Sequence, residues 1–293
     1  MVTDGDATGP QDSPEISAII GRRAETSWSW DPRDVMLYAL GVGAGQRDPA
    51  RELELTTENS DGPPLRAIPT FGVLMTHHAG EMVVHDADQA MIVHAEHALR
   101  LHRPIPLAGE VTVLAEIESV YDKGSGALVS NRAVAVDAAT GQELLETRSA
   151  VFIRGAGGFG GERGPSRSWA LPDRRPDHTF TAEVRPDQAL LYRLSGDRNP
   201  LHSDPVFAAR VGFERPILHG LATYGIAARL LFTELCGSDP GRFAAIEARF
   251  SAPLLPGDSL HVDAWDGNDA VLFQARNGAG EVVLDRGRLE LGD

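Results

Sequence analysis

Gly72 in PTFGVL and Gly220 in PILHGL stand 148 positions apart, and so do Gly109 in PIPLAGE and Gly257 in APLLPGD. The second pair is followed by an acid in each copy, Glu110 and Asp258. A constant offset at two separated sites marks a duplicated unit, which restricts the fold to two copies of one architecture. In each copy an apolar helix opens at the first glycine and a strand starts after the second.

The second helix is expected over about His219–Leu235 (HGLATYGIAARLLFTEL). It is apolar on nearly every side, which predicts burial all round. Three alternating segments follow it, DSLHVDAW, DAVLFQAR and EVVLDRGRLEL, broken by the turns DGN and NGAG. The first copy reads in parallel as EVTVLAEIESVY, ALVSNRAVAVD and QELLETRSAVFI, broken by DKGSG and DAATG. Residues 155–177, rich in Gly, Pro and Arg, form the expected linker. The division is therefore 1–154, 155–177 and 178–293, with class α+β. Whether the two sheets join or pack back to back stays open.

Composition narrows the function. A net charge of −15 argues against nucleic acid, because phosphate binding needs a basic face. No segment reaches the ~20 apolar residues of a membrane span. The first 15 residues are polar and acidic, lack a signal-peptide layout and are expected to be disordered. The single cysteine, Cys236, is read as packing and fits a reducing, cytoplasmic setting.

Chemistry concentrates in YRLSGDRNPLHSDPVFAARVGFERPILHGL, residues 192–221. Asp197 and His202 are five apart, which on an ideal helix is about 500° of rotation, so they converge only on irregular chain. Asn199-Pro200 supplies that irregularity, since proline disfavours helical backbone in the residue before it. Ser203-Asp204-Pro205 then starts a helix. The first copy's YALGVGAGQRDP has no matching Asp, Asn-Pro or His, and Phe71-Gly72 replaces His219-Gly220. One active site per chain is expected, with the first half shaping the substrate channel.

G-D-x-N-P-L-H followed by P-I-L-H-G resembles the signature of (R)-specific enoyl-CoA hydratases, called hydratase 2, of the MaoC-like dehydratase family. YALGVGAG, IPTFG, DKGSG and GAGGFGG resemble that family in order and spacing, from about Trp30 to about Leu291. The resemblance implies a double hotdog: two antiparallel sheets, each wrapped around a long helix. It implies reversible hydration of trans-2-enoyl-CoA to (R)-3-hydroxyacyl-CoA, equivalently 3-hydroxyacyl-thioester dehydration, in fatty-acid metabolism.

In that reading Asp197 and His202 hold a water and manage its protons, either one being able to take the first. Asn199 orients water or thioester. Gly220 offers its N–H, at the positive end of the buried helix, to the developing oxyanion. His219 is read as a pocket-wall histidine bonded to backbone. The resemblance further implies substrate contacts at His94, Ala95, Lys123, Arg198, Pro200, Leu201 and Phe250. Ala95 departs from the family's usual glycine, and Lys123, the only lysine of the chain, is placed to meet the phosphates or adenine of coenzyme A.

No cofactor and no metal site are expected, since HAEH (94–97) lacks a third ligand. The partner is an acyl-CoA. An acidic acyl-carrier protein is less favoured at this net charge, and a homodimer is compatible with the chain. Two alternatives remain: a hotdog thioesterase, which would release free thiol from a saturated acyl-CoA, and a non-catalytic acyl-thioester binding subunit, which would bind without turnover.

Overall fold

The computed structural model describes residues 16–84, 87, 89–165 and 168–292. The expected N-terminal disorder lies outside the described residues. In chain order the elements are β1 (Arg23–Trp30), α1 (Pro32–Gly41), a one-turn α2 (Leu53–Thr56), α3 (Gly72–Val83), β2 (Ile92–Leu101), β3 (Gly109–Asp122), β4 (Gly126–Asp137) and β5 (Glu143–Arg154). The second half supplies β6 (His178–Glu183), α4 (Gln188–Tyr192), α5 (Pro205–Arg210), α6 (Gly220–Leu235), β7 (Phe243–Phe250), β8 (Ser259–Trp265), β9 (Val271–Asn277) and β10 (Val282–Leu291).

The ten strands form one antiparallel sheet in the order β1-β3-β4-β5-β2-β7-β10-β9-β8-β6. Read from either end, that order is the same once each strand is replaced by its counterpart in the other half, so it carries the duplication. The halves meet edge to edge at β2 and β7, where Leu99 pairs with Ile246 and Glu96 with Arg249. This decides between joined and stacked sheets. Each half contains five strands rather than the three read from sequence; β1, β2, β6 and β7 are the additions.

Each half folds over its own helix. In α6 every residue from Leu221 to Phe232 is buried, which accounts for the absence of a polar face. The repeated glycines have different causes. At Gly72 a Cβ would collide with Leu145 Cδ2, so the helix rests directly on the sheet. At Gly109 a Cβ would come within 2.8 Å of the Trp30 ring. Gly257 has φ +89°, a conformation that favours glycine.

The linker does not simply leave the sheet. The Asp122 carboxylate accepts the N–H groups of Gly124, Gly158 and Gly160, clamping the glycine run onto the β3–β4 turn. No helix among the described residues is long and apolar enough to cross a membrane.

Candidate active site

The segment between α4 and α6 is built to make Asp197 and His202 converge. Gly196 has φ +140° and turns the chain out of the preceding helical turn. Asn199 is extended (φ −53°, ψ 125°) and caps the turn Pro200–His202, its Oδ1 accepting the Leu201 N–H at 3.0 Å. Asp197 Oδ1 accepts the Asn199 N–H at 3.1 Å. The expected irregularity is present, with Pro200 fixing the turn. Asp204 then caps α5 through the Val206 N–H.

Two backbone carbonyls fix the histidines. His202 Nδ1 donates to the Ile217 carbonyl at 2.9 Å, which leaves Nε2 as a lone-pair nitrogen. His219 Nε2 donates to the carbonyl of Asp197 at 3.1 Å, and its ring stacks on His202 with centroids 3.8 Å apart. His219 is fully buried and sits behind His202, not on the cavity wall as expected, although its bond to backbone is as read.

Asp197, His202 and His219 each bring one ligand-capable atom within 4.8 Å of the others. Spacing along the chain did not reveal this trio. With one nitrogen of each ring committed to a carbonyl, the set offers a carboxylate and a lone-pair nitrogen at the wall, which suits accepting the protons of a water.

The electrostatics assign charge. Burial works against ionising Asp197, but His77, His219 and His202 together with the Asn199 N–H hold its carboxyl below the usual range. Burial pushes His202 down despite the opposing effect of Asp197. It takes His219 to about 3 and His94 to about 4. Near neutral pH the pair is therefore a carboxylate and a neutral imidazole.

His77 on α3 is the residue sequence reasoning missed. Its Nε2 lies 3.8 Å from Asp197 Oδ2 and 3.4 Å from Glu81 Oε1. Burial opposes its charge, but Glu81 and Asp197 outweigh that and raise its pKa. At the 148-residue offset His77 corresponds to Gly225 and Glu81 to Arg229. Arg229 is buried and reaches into the first half's loop, donating to the Val42 carbonyl at 2.9 Å and pairing with Glu52 at 2.5 Å. The same repeat position thus carries Glu81 beside His77 in one half and the buried Arg229 in the other.

These groups face a cavity of about 400 Å³. Its wall includes Asp197, Asn199, Leu201, His202 and Gly220 from the second half, and His77 and His94 from the first. Phe250 packs on His94 with centroids 4.8 Å apart, and a Cβ on Gly220 would stand 3.3 Å from the Phe250 ring. Gly220 and Leu221 at the start of α6 both line this wall and no side chain caps that start, so the positive end of the helix dipole lies at the wall.

Four residues expected to contact substrate lie off this cavity wall. Ala95 is the extra residue of a bulge in β2, between the pairs His94–Val151 and Glu96–Ala150, and is absent from the wall. The bulge is what brings both His94 and His97 to the wall. Lys123 sits on the β3–β4 turn with its ammonium donating to the Arg163 carbonyl at 2.5 Å. Arg198 is exposed, and Pro200 opens the turn Pro200–His202 without lining the cavity.

The chain is similar to known proteins over most of its length. A MaoC-like domain matches residues 168–287 and an MFE-2 hydratase 2 N-terminal domain matches residues 28–155. The 3-hydroxyacyl-thioester dehydratase Y of Mycobacterium tuberculosis is 42% identical over 90% of this chain and 93% of its own length. Enoyl-CoA hydratase ChsH3 of the same organism is 40% identical over 81% and 84%. Among solved structures, a MaoC-like dehydratase from Phytophthora capsici superposes with TM-score 0.83 at 32% identity, covering 96% of this chain and 98% of that one. A double-hotdog protein of Mycobacterium tuberculosis, 16% identical with TM-score 0.60 over 93% and 96%, shares the fold.

Proposed function

The chain belongs to the MaoC-like dehydratase family, with a first half of the hydratase 2 type, and from that premise we propose that it adds water reversibly to trans-2-enoyl-CoA to give (R)-3-hydroxyacyl-CoA. It is a hydro-lyase. The observation that carries the mechanism is the convergence of an ionised Asp197 and the Nε2 lone pair of His202 on the wall that also holds the start of α6.

A water between the two acceptors is oriented by both. As its oxygen attacks C3 of the enoyl group, one proton passes to the pair and is returned to C2, so the enzyme ends as it began. Positioned acid–base groups of this kind contribute roughly 10²–10⁴-fold. Negative charge grows on the thioester oxygen during attack. The Gly220 N–H at the start of α6 meets it, and an aimed donor of this type is worth about 3–4 kcal/mol. Asn199 has its Oδ1 engaged by Leu201, so its amide nitrogen is the end that donates to water or thioester.

In this reading 1–154 is the channel half, 155–177 the connection and 178–293 the catalytic half. One chain holds every group named, so a second copy is not required for the site. Coenzyme A is favoured as the carrier, because a chain at −15 repels an acidic carrier protein. Incubation with trans-2-enoyl-CoA, followed by enoyl-thioester absorbance and chiral analysis of the product, tests the reading.

A further inference from the structure

Beyond the catalytic pair, the cavity continues over the concave face of the first half, where the core changes character. Farther along β2, β4 and β5 that face carries Leu99, Ala133, Ala135 and Leu145, all buried and apolar. Toward the cavity it carries His97, Asn131, Thr147 and Ser149. The sheet register sets three of these side by side, since Ser149 on β5 pairs with His97 on β2 and with Asn131 on β4. Thr76 faces them from α3. One turn farther Gly80 leaves space, and even a Cβ there would stand 3.5 Å from Asn131 Oδ1.

These groups are buried and partly unpartnered. Thr76, His97, Asn131 and Thr147 are 3%, 4%, 5% and 2% exposed. His97 has no hydrogen-bond partner for either ring nitrogen among the described residues. Its neighbour His94 is committed to Ser149 at 2.8 Å. A purely alkyl tail lying over this floor would leave polar atoms without partners, which is costly in a buried site.

We propose that the acyl group of the substrate carries a neutral oxygen function, a hydroxyl or a ketone, beyond its reacting double bond, and that His97, Asn131 and Thr147 bind it. This rests on the hydratase reading of the same site. The floor offers both donors and acceptors, as a hydroxyl or ketone requires, because a neutral imidazole, an amide and a hydroxyl supply both. It does not suit a carboxylate. Arg154, the cavity-wall residue with a fixed positive charge, is exposed and lies five residues beyond Ser149 on β5, about 17 Å of strand.

The experiment compares trans-2-enoyl-CoAs of one chain length. One is unsubstituted, a series carries a hydroxyl or keto group at successive carbons from C5 outward, and one ends in a carboxylate. Binding of the saturated analogues of each is measured in parallel by calorimetry. At one position the oxygenated substrate should be preferred in kcat/KM by about tenfold or more, a site built to hydrogen-bond a substrate group discriminating strongly against its absence. The saturated analogue should show the same preference in Kd. Asn131→Leu and Thr147→Val should each reduce that ratio, with folding read separately from the melting transition.

Equal or better use and binding of the alkyl or carboxylate compounds would overturn the inference. Preferential binding of the oxygenated analogue without hydration of any enoyl-CoA would uphold the pocket and sink the hydratase reading instead.

Discussion

His77 in the first half sets its Nε2 3.8 Å from Oδ2 of Asp197 in the second. A half without that loop therefore still places a titratable group beside the carboxylate proposed to be catalytic. His77, Glu81 and Asp197 form a mixed cluster in which the imidazole favours the ionised carboxylate. Replacing His77 by Gln removes that favour. Asp197 should then titrate at higher pH, and the acidic limb of the kcat/KM profile should move upward. An unmoved limb would show that His77 only packs.

Asp197→Asn and His202→Gln should each lower kcat by about 10²–10⁴-fold. Because both side chains take part in loop hydrogen bonds, far-ultraviolet circular dichroism and melting must accompany the kinetics. Near-normal turnover in either folded variant would remove that residue from proton transfer.

Stability should depend on pH through the buried histidines. His219 and His94 fall to about 3 and about 4 from an ordinary 6.5, and His97 and His202 are lowered too. The unfolded chain then binds more protons than the folded chain below pH 6.5. Their contribution is fully present above that value and is lost as pH falls toward 4 and 3. His77 has the opposite sign: its contribution is present below 6.5 and is lost as pH rises through its elevated folded value. Melting temperatures across pH 4–8 should fall steadily on the acid side, with the lowered histidines outnumbering the raised one. A flat profile would contradict this assignment of charge.

The two repeated glycines should respond differently to alanine. Gly72→Ala forces a Cβ onto Leu145 and should cost about 1–3 kcal/mol of stability, as overpacking does. Gly220→Ala meets the Phe250 ring first, at 3.3 Å, and that side chain can shift, so the protein should fold while kcat/KM drops. Equal losses of stability and no separate kinetic effect would show that both glycines serve only packing.

Sequence carried much of this because the information was local. A glycine-opened helix, an Asn-Pro turn and an Asp/His pair five apart need no distant partner to be recognised. The strands that the sequence does not show are β2 and β7, which join the halves, and β1 and β6, which pair with distant segments of their own half. β2 carries HAEHAL, whose bulge at Ala95 is visible only once β5 supplies the pairing. β1 alternates well enough, with Trp28 and Trp30 on one face, but nothing in it announces that it pairs with β3 some 80 residues on. His77 sits in GVLMTHHAG, an apolar run in which a histidine reads as packing, and Asp197 is 120 residues away. The backbone bond of His219 is legible in the sequence, yet its stacking behind His202 is a tertiary fact.

Hydration of an enoyl thioester by Asp197 and His202 in this one site can be followed optically. The most direct measurement follows enoyl-thioester absorbance with trans-2-enoyl-CoA for the native chain and for His202→Gln, with chiral analysis of the product. Loss of absorbance, an (R)-3-hydroxyacyl-CoA product and a rate reduced by orders of magnitude in the folded variant are expected. An (S) product, or equal rates in the two proteins, would contradict it.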